Sequence, residues 1–174
     1  MKKHIFLWQI FQFVFVSIFG IVLHFLYDWT ESGFIAMFSA VNESTWEHMK
    51  LIFFPMLLFA WIQKRFIGDK YTHFWCLKLR SMLVGLMMIP ILFYTLRGIF
   101  GNTPDWINIA VFFVAVSVAI GYETKQFLNP GTSYRNNKLC IFMLCLIAIC
   151  FAVFTFAPPK IPLFQDPMSR TFGI

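Results

Sequence analysis

The sequence predicts an all-α polytopic membrane protein, a single domain over residues 1–174 with about five transmembrane helices, its N-terminus inside and its C-terminus outside. Three observations carry this. Hydrophobic residues make up 59% of the chain and charged residues 13%, about half the share a soluble domain uses to wet its surface. Mean hydropathy is +0.72, and the apolar residues fall in long runs. The basic residues lie between those runs, as membrane orientation requires, which excludes a nucleic-acid-binding face.

Backbone polar groups cannot stay unpaired in hydrocarbon, so each run is read as a helix. Ile5 to Tyr27 contains no Asp, Glu, Lys or Arg and is long enough to cross about 30 Å of hydrocarbon. Lys2 and Lys3 precede it like a signal peptide, but its length and lack of a small-x-small site predict an uncleaved span. Leu51 to Ile62 is too short alone. Starting that helix at Ser44 and ending it at Gln63 supplies the length, and Ser44-Thr45-Trp46-Glu47 fits a capping box. Lys50, in its first turns, is expected to snorkel to the surface. Further spans are predicted at Ser81 to Phe100, Trp106 to Tyr122 and Leu139 to Ala157.

Orientation follows from the fourteen Lys and Arg. With the N-terminus inside, the inner segments hold Lys2, Lys3, Lys64, Arg65, Lys70, Lys78, Arg80, Lys125, Arg135 and Lys138. The outer side keeps Lys50, Arg97, Lys160 and Arg170, the asymmetry expected of a membrane protein. The loop from Asp28 to Glu43 is partly apolar and predicts a short interfacial or re-entrant helix. Residues 158–174 are Pro-rich at first and then carry Leu163, Phe164 and Phe172. They are expected to form an outer tail docked over the helix ends, which delivers Asp166 there. Cys76, Cys140, Cys145 and Cys150 read as small apolar fillers rather than a disulfide framework.

The polar residues collect on the outer side. Gly20, His24 and Asp28 step by four along the first helix and form one ridge, where Asp28 can fix the His24 tautomer. Asn42-Glu43-Ser44-Thr45-Trp46-Glu47-His48 places two carboxylates and an imidazole at the start of the second span. His24, Glu43 and His48 are the candidate ligands for a divalent metal. Glu47 is the candidate general base and Arg97, with Tyr94 on the same face, the candidate clamp for an anionic group. Asp28, Asn42 and Asp166 are the supporting polar residues. Helix capping and dipole stabilisation also account for Ser44, Glu43 and Glu47, but leave His48 and Asn42 without a role.

Three stretches carry a resemblance: N-E-S-T-W-E-H at 42–48, Y-T-L-R-G-I-F-G at 94–101 and P-L-F-Q-D-P at 162–167. They resemble a small bacterial family of multi-pass integral membrane proteins of unknown function. That resemblance implies a bacterial plasma-membrane setting and no particular activity. On the residues, the leading expectation is an outward-facing site for a divalent cation or a small polar or lipid-like ligand, with metal-assisted hydrolysis or transfer as its chemistry. A small transporter or channel, and a structural or assembly protein, are the rivals. The spans offer few ionisable groups for proton-coupled transport.

Overall fold

The computed structural model describes residues 2–101, 104–129 and 136–174. Its elements are α1 (Lys2–Thr30), α2 (Gly33–Ala36), α3 (Thr45–Phe66), α4 (Phe74–Phe100), α5 (Asp105–Leu128) and α6 (Asn137–Phe156), with 3₁₀ turns at Gly68–Lys70 and Pro162–Phe164. Arg135, counted above among the inner charges, lies outside the described residues, as does the side chain of Asp105. The end that holds the C-terminus of α1 and the N-terminus of α3 is called the upper end below.

Four helices are long and apolar enough to cross a membrane: α1, α4, α6 and the part of α5 from Trp106. The predicted second span, α3, has 22 residues and the length to cross. Its Glu47, His48 and Lys50 make it less apolar, and it turns those polar residues inward. Met49, Leu51, Ile52, Phe53, Met56, Phe59 and Ala60 along it are all buried, so α3 is packed by protein on several sides. Pro55 and Pro90 lie inside α3 and α4, which run through both.

α1, α3, α4 and α5 form a ring in which each helix touches two ring neighbours, and α6 packs against α4 and α3. Small residues set the close approaches, as expected where van der Waals packing drives helix association. A Cβ on Gly85 of α4 would lie 3.1 Å from Cβ of Ala119 on α5 and 3.3 Å from Ile52 on α3. Gly20 of α1 is tighter still, since a Cβ there would come within 2.6 Å of the Phe112 ring on α5. Outward faces carry large apolar side chains, among them Phe6, Phe11, Met87, Ile109 and Phe142. Such a surface suits lipid and not water.

Two helices extend beyond their apolar runs. α4 begins at Phe74 and not at Ser81, and α5 continues to Leu128 and not to Tyr122. Lys78, read from the sequence as an inner-loop charge, is therefore helical and fully buried, as is Glu123. They pair at 2.6 Å. Gln9 and Gln12 of α1 each donate to the Glu123 carboxylate at 3.2 Å, and Ser81 donates at 2.8 Å. Lys78 also donates to Gln12 Oε1 at 3.1 Å, and its ammonium lies 5.7 Å and 5.6 Å from the Phe74 and Phe127 ring centroids. Opposite charges on neighbouring helices can lie buried because each neutralises the other and amides fill the remaining bonds.

The lower end also corrects the reading of the cysteines. Cys76, at the start of α4, and Cys140, at the start of α6, form a disulfide with Cα atoms 5.1 Å apart, while Cys145 and Cys150 are free. Spacing within one helix could not show a partner on another.

Candidate metal centre

The upper site begins with the loop between α1 and α3. After α1 the chain makes the single-turn helix α2, and Ser39 folds back onto α1, its hydroxyl donating to Leu23 O and accepting from Tyr27 N at 3.0 Å. This short helix is the element expected between Asp28 and Glu43. The chain then enters α3 through Ser44, whose Oγ accepts from Glu47 N at 3.3 Å. Only half of the predicted capping box forms. Ser44 N donates instead to Asn42 Oδ1 at 2.9 Å, and the Glu47 carboxylate reaches past it to Val41 N at 3.1 Å.

Glu47 is thereby engaged inside the protein. It pairs with Lys50 and also accepts from Thr155 Oγ1 on α6 at 3.4 Å. Lys50 does not snorkel. It is wholly buried and donates to Ala36 O at 2.8 Å and to Thr155 Oγ1 at 2.9 Å. The end of α2 supplies a carbonyl within reach, so the ammonium is satisfied inside the protein. Together with Lys78 and Glu123, this makes two buried ion pairs among the described residues, where the sequence reading had counted few ionisable groups in the spans. All four charged groups are closed on internal partners.

The tail packs over this entry. Asn42 donates to Gly173 O at 2.9 Å, and Glu43 N donates to Asp166 Oδ2 at 3.4 Å. Asp166 Oδ1 accepts from Met168 N at 2.6 Å and Ser169 N at 3.1 Å. Burial pushes the Asp166 carboxyl up, but these backbone donors outweigh it and hold it below the ordinary carboxylate value. Phe164 meets the Trp46 ring at 4.7 Å between centroids. Asp166 thus orders the loop through backbone, and its side chain reaches Glu43 N rather than the imidazoles.

The residues that face one another are His24, Glu43 and His48. One ligand atom from each lies within 4.8 Å of the other two. His24 Nε2 is 3.7 Å from Glu43 Oε1, and His48 Nε2 is 3.4 Å from Glu43 Oε2. The ring centroids of the two histidines are 5.5 Å apart. With its ring protonated, His48 hydrogen-bonds through Nε2 to Glu43 and holds that carboxyl below its ordinary value, against the burial that pushes it up. His48 Nδ1 is 2.9 Å from Ser44 O. A carbonyl can only accept, so Nδ1 carries the proton, and in the neutral ring the Nε2 lone pair points at the cluster. Metal-bound histidines characteristically hold their other nitrogen this way.

A cavity of about 420 Å³ opens beside the cluster. His24, Glu43 and His48 line it, with Gly20, Ile21 and Phe25 of α1, Leu51 of α3, Asn108, Ile109, Phe112 and Phe113 of α5, and Met168 of the tail. Gly20 and His24 therefore share a face as the ridge predicts. Asp28 is exposed at the end of α1 and does not fix His24, whose buried Nδ1 lacks a hydrogen-bond partner among the described residues. Tyr94 and Arg97 are not among the lining residues, and Arg97 lies 5.8 Å from the Phe93 ring centroid on its own helix. Asn108 and Met168 were not predicted as site residues. Asn108 gave a weak signal as a polar residue early in an apolar run, and Met168 gave only the apolar character it shares with the rest of the docked tail.

The fold and the cluster define a class: an all-helical protein with helices able to cross a membrane and a His–Glu–His cluster at one end. The chain belongs to a family of unknown function (DUF6512), whose model matches all of residues 1–174. No match is found among curated proteins or among solved structures.

Proposed function

We propose that the upper pocket is an outward-facing divalent-cation site, held by His24, Glu43 and His48. It sits in a five-span protein of the bacterial plasma membrane with its N-terminus inside. The observation that carries this reading is the contact of His48 Nδ1 with Ser44 O: in the neutral ring it assigns the proton to Nδ1, so that Nε2 offers its lone pair to an ion held between it, the Glu43 carboxylate and His24. Two imidazoles and a carboxylate are a zinc-type ligand set that leaves a fourth position open. A water there would ionise near neutral pH and supply the nucleophile for hydrolysis or group transfer. Glu47 and Arg97 take no part in this reading, because the first is closed on Lys50 and the second lies off the pocket. The Cys76–Cys140 bridge falls at the inner end in this orientation, where disulfides are uncommon. Cys76 and Cys140 are 1% and 6% exposed, and burial shields the bridge from thiol exchange.

Cobalt substitution tests the site. Chelator-treated protein in detergent should take up Co²⁺ stoichiometrically and show the visible absorption of a low-coordinate N/O site. His24→Ala and His48→Ala should each abolish the band, and Glu43→Gln should weaken it. Folded wild type that takes up neither Co²⁺ nor Zn²⁺ would overturn the proposal.

A further inference from the structure

The pocket beside the cluster is two-sided in its chemistry. Its polar lining is His24, Glu43 and His48, which converge, and Asn108, whose buried Oδ1 has no hydrogen-bond partner among the described residues. The remaining wall is apolar, built from Ile21 and Phe25 on one helix and Ile109, Phe112 and Phe113 on another. A site for a water-borne cation alone has no use for such a wall.

The position of that wall indicates how it is reached. α1 and α5 are neighbours in the ring, and both are long and apolar enough to cross a membrane. On these two helices, Ile21 is 50% exposed and Ile109 58% exposed, so each lines the pocket while also facing outward from the bundle. In a bilayer that outward surface meets acyl chains. The cavity is therefore bordered along the α1–α5 seam by side chains that also present surface to lipid. Gly20 keeps the seam shaped, since its missing side chain gives space to Phe112.

We infer that the pocket takes a membrane lipid from the surrounding leaflet, its alkyl chain lying along the α1–α5 seam and its anionic head oxygens reaching His24, Glu43 and His48 through the bound cation. This rests on the cation reading above and names its substrate class. A carboxylate beside the imidazoles would repel an anionic head, and the cation removes that repulsion. The orphaned Asn108 Oδ1 accepts from a hydroxyl on the head, which gives a buried polar atom the partner it lacks. A cavity of this size falls in the range that encloses a small organic ligand, so it holds the head and the first part of a chain while the rest stays in the bilayer.

The test uses the full chain in liposomes containing phosphatidylglycerol with a photoreactive diazirine in its acyl chain. Metal content of each preparation is measured in parallel. Light should label peptides carrying Ile21, Ile109 or Phe113. Ile109→Trp, which narrows the seam from its lipid face, should lower that labelling about tenfold, equivalent to roughly 1.4 kcal/mol of binding. It should leave the metal content at the wild-type level. Met87→Trp, at an exposed position on α4, should lower it in neither respect. Removing the metal with chelator should also lower the seam labelling, because the head loses its anchor. Metal-loaded protein whose labelling is spread evenly over all lipid-facing positions, and is unchanged in Ile109→Trp, would overturn the lipid inference while leaving the cation site standing. Strong seam labelling in protein that binds no metal would overturn the head-group part and the cation reading together.

Discussion

Replacing Glu123 with Ala is expected to lower stability by about 3–5 kcal/mol, the range for breaking a buried ion pair by removing one partner. The carboxylate accepts from Lys78, Gln9, Gln12 and Ser81, so one change leaves a buried ammonium without its counter-charge and three polar groups short of an acceptor. Two of those groups stand on α1 and two on α4, and Glu123 itself is on α5. The loss therefore falls on the junction of three helices. Resistance to unfolding in mixed detergent micelles measures it. Replacing both charges, as Lys78→Met with Glu123→Leu, should recover part of the loss, because no unpaired charge is then buried. Full wild-type stability in Glu123→Ala would mean that the pair does not hold the lower end together.

The second large effect is expected at Glu47. Glu47→Gln should cost about 3 kcal/mol, since Lys50 stays buried beside a neutral amide. Gln can also turn an N–H₂ toward Val41 N, which already donates to that carboxylate, and so leave two donors facing each other. Detergent unfolding should show the loss, and the protein that remains folded should take up Co²⁺ as the wild type does. This separates the two roles open to Glu47. A carboxylate working as a ligand or base in the pocket would instead leave stability nearly unchanged when made an amide and alter the chemistry of the site.

The contrast between Glu47 and Glu43 shows how far the sequence can be read. Both lie in the same short polar stretch, and position alone made either a candidate for the site. Which of them faces the histidines depends on where Ala36 O and Thr155 lie, because those two groups capture Lys50, and Lys50 captures Glu47. Thr155 is 105 residues from Lys50, a distance over which no helical periodicity carries information. The ridge of Gly20 and His24 was legible because both lie on one helix, where four-residue steps fix a common face. The all-helical class was legible because composition and run length decide it.

The lower end was read less well, for a related reason. Charges flanking an apolar run ordinarily mark its limit, and on that ground Lys78 was placed in an inner segment and Tyr122 was taken as the end of a span. Helices can continue past an apolar run when another helix supplies the opposite charge. Gln9 and Gln12, three residues apart on α1, were the available sign that something polar had to meet that face. The Cys76–Cys140 bridge is the same kind of pairing between elements distant in sequence, and it too had no local signature.

The most direct test is the metal content of the protein purified from native membranes, measured by mass spectrometry beside His24→Ala and His48→Ala. Near-stoichiometric divalent metal in the wild type, lost in both variants while each stays folded, is the predicted result. A folded wild type without metal, or variants that keep it, would contradict a cation site at His24, Glu43 and His48.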